Sequence, residues 1–225
     1  MFNIFTQITF TIARVHENNQ GEMLGTGFLI AGGHYIVTPR HVVGDNDNNL
    51  CIITPSLTLF DEYQDTTLTT ANFCYVHIVK SDPFNDIVIL EPVDKLFTVP
   101  NISFPTIDLG STDKVQVGDE IMIFGFPHCV EGRRVLVMQK AMVGAKVMLN
   151  SNGIKSKYLI INTQTRPGQS GSVIYSARHN LIVGMLIGAF APNSGISLGG
   201  INPRELHQTT QCISAEYIKN MIQEK

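Results

Sequence analysis

The chain has 225 residues, 44% of them hydrophobic and 16% charged, with a formal net charge of −3. That length allows one large domain or two small ones with a substantial core, and the apolar content excludes a disordered chain. There is no basic stripe and no apolar run as long as a membrane-spanning helix, so neither nucleic acid nor a membrane is expected as a partner.

Taken in chain order, residues 1–10 are apolar but lack a positively charged start and a small-residue cleavage site. They do not read as a secretory leader. Residues 8–15 read as a strand. Residues 26–31 and 34–38 form two more around a Gly32-Gly33 turn, and residues 75–80 alternate cleanly. Residues 86–90 are a short buried run. Strands then follow over 120–124, 134–149, 158–163, 172–175 and 181–190. Many short strands without alternating helices argue for barrels or a sandwich. The one expected helix is at the end. Ser214 is its expected N-cap, and Ile218, Met221 and Ile222 form an apolar stripe that docks on the chain's own domain. A boundary is expected within 99–118, which holds Pro100, Pro105 and Gly110, and it divides the chain into 1–105 and 106–225.

Cys51, Cys74, Cys129 and Cys212 are widely spaced and form no compact framework, so they read as free thiols of a reducing compartment. With the missing leader, this predicts a cytoplasmic protein. Cys74 and His77 form a C-x-x-H, but on an alternating run they face opposite sides of a strand. No metal site is expected, and no cofactor motif is read.

Ser170 lies in Pro167-Gly168-Gln169-Ser170-Gly171-Ser172. A nucleophilic serine needs a tight turn that exposes its hydroxyl, and backbone N–H groups aimed where an oxyanion forms. Gly168 can turn its N–H inward beside that of Ser170. Alone, such a stretch is also an ordinary surface turn. His41 follows the apolar run from Ile36 to Pro39, which delivers it to a loop or short helical turn, although a lone histidine is usually structural. Asp86 opens Ile87-Val88-Ile89-Leu90. A carboxylate at the mouth of an apolar strand needs a partner, and an imidazole N–H is a suitable one; the alternative is a turn residue bonding to backbone. Together they run in the order His, Asp, Ser, which differs from the Ser-Asp-His order of α/β-hydrolases.

These residues resemble the trypsin/chymotrypsin-like peptidases, and within them the HtrA-type branch. Gly25-Thr26-Gly27-Phe28 resembles the family's G-S-G-F strand, and Thr38-Pro39-Arg40-His41-Val42-Val43 its T-x-x-H-V-V segment. Asp86-Ile87-Val88-Ile89-Leu90 resembles its aspartate strand. Val117-Gly118-Asp119 with Gly125-Phe126-Pro127 is similar to V-G-D…G-x-P, and Gly168-Gln169-Ser170-Gly171-Ser172 to G-N-S-G-G. Gly200-Ile201-Asn202 and the terminal helix also look like counterparts of elements in the branch.

The resemblance implies an all-β fold of two six-stranded antiparallel β-barrels with a C-terminal helix. His41 and Asp86 come from the first barrel and Ser170 from the second. It implies a serine endopeptidase acting on a protein or peptide substrate, with His41, Asp86 and Ser170 catalytic and the N–H groups of Gly168 and Ser170 as oxyanion hole. The substrate pocket is expected between Gln164, Thr165, Arg166 and Ile187, Gly188, Ala189. A neutral Gln164 at its base leans towards small or medium uncharged side chains.

Several positions depart from the family. Ser172 replaces a glycine, and Ile187 replaces a serine or threonine that supports the aspartate. Gln169 stands where an acidic residue receives a new N-terminal amine, so no activation of that kind is expected, and gating by a regulatory partner stays open. The peptide-binding PDZ module usual in the branch is not expected in this chain. A trypsin-fold binding or scaffold protein without turnover, and a processing protease with a few dedicated sites, stand as alternatives.

Overall fold

The computed structural model describes residues 2–17, 20–30, 34–93, 107–190 and 209–223. Strands β1 (Thr9–Val15), β2 (Gly21–Ile30), β3 (Tyr35–Pro39), β4 (Leu50–Ile53), β5 (Phe73–Asp82) and β6 (Ile87–Pro92) close a barrel in the order β1-β2-β3-β6-β5-β4. Strands β7 (Asp108–Leu109), β8 (Glu120–Gly125), β9 (Val137–Ser151), β10 (Ile154–Ile161), β11 (Val173–Ser176), β12 (Leu181–Phe190) and β13 (Thr209–Ser214) form the second sheet. Its order is β11-β8-β9-β10-β13-β12-β7, and β11 also pairs with β12, so six strands close a second barrel. The two-residue β7 adds to β12 in parallel, the exception to the antiparallel pairing.

The strand alternation explains why so many runs are apolar throughout. In β6, Val88 and Leu90 fill the first barrel, while Ile87 and Ile89 join the cluster between barrels. In β8, Ile121 and Ile123 face into the second barrel, and Met122 and Phe124 join the same central cluster. A strand that buries both faces loses the polar half of its alternation.

Three short α-helices, α1 (Phe5–Ile8), α2 (Arg40–Val43) and α3 (Ala215–Gln223), and two 3-10 turns, Thr112–Lys114 and Cys129–Glu131, complete the described structure. The apolar start of the chain forms α1, which sequence patterning did not resolve. Phe5 stacks on Phe124 with ring centroids 3.5 Å apart and meets Tyr175 edge-on. Helix α3 buries Ile218 and Met221 against the central cluster, as its stripe predicts. Ser214 is the last residue of β13, and its hydroxyl accepts the Thr112 N–H at 3.1 Å, so it ties the helix start to the loop before β8. Lys80 of the first barrel donates to the Met221 carbonyl at 2.6 Å near the other end of α3.

β4, β7 and β13 were also missed; β2 starts at Gly21 rather than 26, β9 at Val137 rather than 134 and β10 at Ile154 rather than 158. The four cysteines are free and buried. Cys74 points into the first barrel, whereas His77 pairs with Glu91 at 3.5 Å on the other face. The Gly32-Gly33 turn, the expected boundary at 105–106, and Gly200-Ile201-Asn202 lie outside the described residues.

Candidate active site

β3 delivers the chain to α2, whose Val42 and Val43 anchor in the first barrel and leave His41 on the exposed side. Helix α2 has four residues and begins at Arg40, and its N-cap residue, Pro39, provides no side-chain cap. Asp86 supplies what is missing: its Oδ1 accepts the His41 backbone N–H at 2.9 Å, and its own carbonyl accepts the Arg40 N–H at 3.0 Å. These bonds satisfy N–H groups that a helix start leaves without partners. The other carboxylate oxygen, Oδ2, lies 2.5 Å from His41 Nδ1. One aspartate therefore fixes both the backbone and the ring of His41, and with Nδ1–H as donor it leaves Nε2 as the acceptor. Both sequence readings of Asp86, imidazole partner and backbone-bonding turn residue, apply at once.

Asp86 holds this geometry at φ +56°, a left-handed conformation that costs a non-glycine residue energy. The neighbouring Asn85 shows what sustains it. Asn85 is buried, accepts the Ser156 hydroxyl of the second barrel at 2.5 Å, and donates to Asp82 at 2.6 Å. The aspartate turn is thus pinned across the barrel interface. Tyr158 is buried close by, and its hydroxyl pKa is pushed up to about 12, first by burial and then by the negative charge of Asp86.

Ser170 sits on a turn between the barrels. Gln169 N–H donates to the Arg166 carbonyl at 3.1 Å and Ser172 N–H to the Gln169 carbonyl at 2.9 Å. Ser172, the departure from the family's glycine, is fully buried and closes this turn with a further bond from its hydroxyl to the Gln169 carbonyl at 2.7 Å. Gly125 opposite makes room, since a Cβ there would approach the Ser172 Cβ to 2.8 Å. Gly168 has φ +89°, and a Cβ would fall 2.6 Å from Cys129 Sγ and 2.7 Å from the Phe126 carbonyl. Among the described residues, no acceptor takes the N–H of Gly168 or of Ser170.

The Ser170 hydroxyl donates to the Ile187 carbonyl at 2.9 Å, and no hydrogen bond joins it to His41 among the described residues. Ile187 lies at a register shift of β12, between Leu186 and Gly188. Its side chain packs on the central cluster. The carboxylate of Asp86 is instead supported by the two bonds to His41.

The expected pocket residues separate into two groups. Ile187 and Gly188 lie beside Ser170; a Cβ on Gly188 would stand 3.7 Å from its hydroxyl. Gln164 and Arg166 are exposed and line a depression of about 410 Å³ with His128, Gln139 and Gln169. Arg166 donates to Gln164 at 3.3 Å, and Thr165 between them is buried. Ala189 is fixed by its pairing with Thr210 in β13. The buried Gln169 accepts the Arg166 N–H at 2.7 Å and donates to Gln139 at 3.3 Å, so neutral amides hold the segment before the serine. Sequence reasoning missed Thr26, Asn85 and His128 as participants. The threonine between two glycines in Gly25-Thr26-Gly27 was the available signal for the first of them.

A family model described as the trypsin-like peptidase domain matches residues 25–185. The chain belongs to this family. Among curated relatives, a probable periplasmic serine endoprotease, DegP-like, from Pseudomonas putida is 24% identical over 173 residues, covering 75% of this chain and 30% of the relative. One from Bartonella henselae with the same description is 24% identical over 171 residues, covering 76% and 29%. The chain thus spans about 30% of the length of these relatives. Among solved structures, the MamO protease domain of Magnetospirillum magneticum matches with a TM-score of 0.70 at 14% identity, covering all of both chains. The HtrA-type protease AlgW with tripeptide matches with a TM-score of 0.63 at 18% identity, covering 98% of this chain and 62% of that one. Both likenesses bear out the trypsin-like double-barrel fold.

The trypsin-like relatives correct one expectation. They are described as periplasmic, which tells against the cytoplasmic location expected. The expectation leaned on the lack of a leader pattern in residues 1–10, on the lack of a membrane-spanning run and on unpaired cysteines, and the cysteines carry little information about compartment here. Burial pushes the Cys51 thiol up to about 11 and the Cys129 thiol up to about 12, which keeps both from the thiolate form that oxidises.

Proposed function

We propose that the chain is a serine endopeptidase that cleaves peptide bonds in protein or peptide substrates, with Ser170 as nucleophile, His41 as general base and acid, and Asp86 as the group that orients and charge-stabilises His41. The observation that carries this reading is the pairing of His41 Nδ1 with the Asp86 carboxylate at 2.5 Å. Membership of a peptidase family adds to it.

The chemistry is an acyl transfer. The Ser170 oxygen adds to the substrate carbonyl carbon while its proton passes to His41 Nε2. The carbonyl π electrons move onto oxygen, and the N–H groups of Gly168 and Ser170 bind that oxyanion. The C–N bond breaks, the amine leaves with the proton from His41, and an acyl ester remains on Ser170. Water then adds to the ester, giving its proton to His41, and the acid departs as Ser170 recovers its proton. Before the first step the Ser170 hydroxyl must leave the Ile187 carbonyl and turn to His41. Catalytic hydrogen bonds are often loose without substrate, so this geometry is compatible with turnover. Specificity for small or medium uncharged side chains remains the proposal for the pocket, because Gln164 at its expected base is neutral.

The bond from Ser170 to Ile187 also favours a second reading, a trypsin-fold binding or scaffold protein in which the serine stays parked. Hydrolysis of fluorescein-labelled casein separates the two. The peptidase reading expects cleavage by wild type and losses on the order of 10⁴ to 10⁶ in turnover for Ser170→Ala or His41→Ala, with unchanged circular dichroism. Residual cleavage at the wild-type rate in Ser170→Ala would overturn the assignment, and a folded, inert wild type would favour the binding protein.

A further inference from the structure

The N–H of Gly168 points where its flanking peptide planes allow, and each plane is held by a bond from outside the turn. His128 N–H donates to the Pro167 carbonyl at 2.6 Å. No peptide bond among the described residues is cis, so the Gly168 N–H in that same plane points away from His128. The next plane is held by the Thr26 hydroxyl, which donates to the Gly168 carbonyl at 2.9 Å. Beyond it, the Thr26 backbone N–H donates to the Ser170 carbonyl at 2.8 Å.

Thr26 belongs to β2 of the first barrel, yet these bonds end in the second. Its hydroxyl oxygen also accepts the Phe126 N–H at 3.1 Å, two residues before the His128 that holds Pro167. Its carbonyl accepts the Thr38 hydroxyl at 2.8 Å, three residues before His41. Thr26 is fully buried, and a hydroxyl has one proton to give. With Phe126 N–H arriving at the oxygen, that proton goes to Gly168, so both bonds of the hydroxyl have a fixed sense.

We infer that Thr26 is a positioning residue for the oxyanion hole: its hydroxyl, reaching across the barrel interface, fixes the Gly168–Gln169 plane next to the plane that carries the Gly168 N–H, and so restrains the rotation at Gly168 that would turn this N–H from the reacting carbonyl. This rests on Ser170 being the nucleophile. An oxyanion-hole donor binds the developing negative charge more strongly than the ground-state carbonyl, so loss of its alignment falls mainly on turnover. A donor displaced by a fraction of an ångström loses most of its effect on the developing charge.

The test compares wild type, Thr26→Val, Thr26→Ser and Thr26→Cys by kcat and KM on fluorescein-labelled casein, with active sites counted by a fluorophosphonate probe and folding followed by thermal melting. Valine keeps the shape and removes the hydroxyl. The expected result is a kcat per active site lowered on the order of 10 to 100-fold in Thr26→Val, KM within about twofold, and Thr26→Ser close to wild type. Thr26→Cys, a weaker donor, falls between and serves if valine does not fold. A purely structural role predicts instead a lower melting temperature and fewer active sites with unchanged kcat per site, and that outcome overturns the proposal. Full activity per site in a folded Thr26→Val or Thr26→Cys overturns it equally. Failure of wild type to react with the probe would sink the Ser170 assignment itself, and the role of Thr26 with it.

Discussion

Gly168 combines a φ of +89° with close approach of Cys129 and Phe126, so an alanine there meets strain and collision together. Gly168→Ala is expected to lower turnover by about 100-fold or more, the loss typical of one oxyanion donor, while the barrels stay folded. Casein hydrolysis beside a thermal melt checks this; a fully active Gly168→Ala would remove the Gly168 N–H from the mechanism. At this scale the sequence was most informative. His41, Asp86, Ser170 and the glycine at 168 could all be singled out, because the role proposed for each needs a residue type that few others can replace. The bond that parks Ser170 on Ile187 was not, since a backbone carbonyl carries no side-chain signature. Thr26 was visible only as part of a strand motif, since its partners lie at residues 126, 168 and 170, distant in the chain.

Helix α3 illustrates what elements owe to their neighbours. It has nine residues, too short to be stable alone in water. Ile218 and Met221 dock it on the central cluster, and Lys80 holds the Met221 carbonyl. Its first turn joins a charged network, in which Lys157 meets Asp113 at 2.5 Å and Glu216 at 3.2 Å. The hydrogen bond from Lys157 holds the Asp113 carboxyl below its ordinary value of 3.8. A lowered folded pKa stabilises the fold above the unfolded value, and the effect is lost as pH falls through the folded one. Asp113→Asn is therefore expected to cost no more than about 1 kcal/mol at neutral pH, because the pair is largely exposed. The difference from wild type should shrink as pH falls below 3.8 and through the lowered folded pKa; urea melts at neutral and at acid pH would reveal it, and a penalty undiminished in acid would refute the electrostatic origin. The apolar stripe of α3 was readable, whereas β4 and β13 were not. β4 is the run Leu50–Ile53, too short for periodicity to tell strand from helix. β13 opens with Thr-Thr-Gln, which reads as polar until its pairing with β10 and β12 buries Thr210 and Cys212.

The whole molecule is two closed barrels whose shared apolar cluster takes residues from both. Across this interface run the bonds that matter for the site: Thr26 to Gly168 and Ser170, and Ser156 to Asn85 beside the aspartate. The number and type of strands pointed to barrels or a sandwich, and only the order of motifs resembling one family separated them. The free cysteines were a poor guide to location, because all four are buried and burial leaves thiols unpaired in any compartment. The central claim is that this assembly activates Ser170, and its most direct measurement is labelling of the purified protein with a fluorophosphonate probe, mapped by mass spectrometry. One adduct per chain is expected, on Ser170, absent in Ser170→Ala and strongly slowed in His41→Ala. A folded wild type that takes up no probe, or takes it up elsewhere, would contradict it.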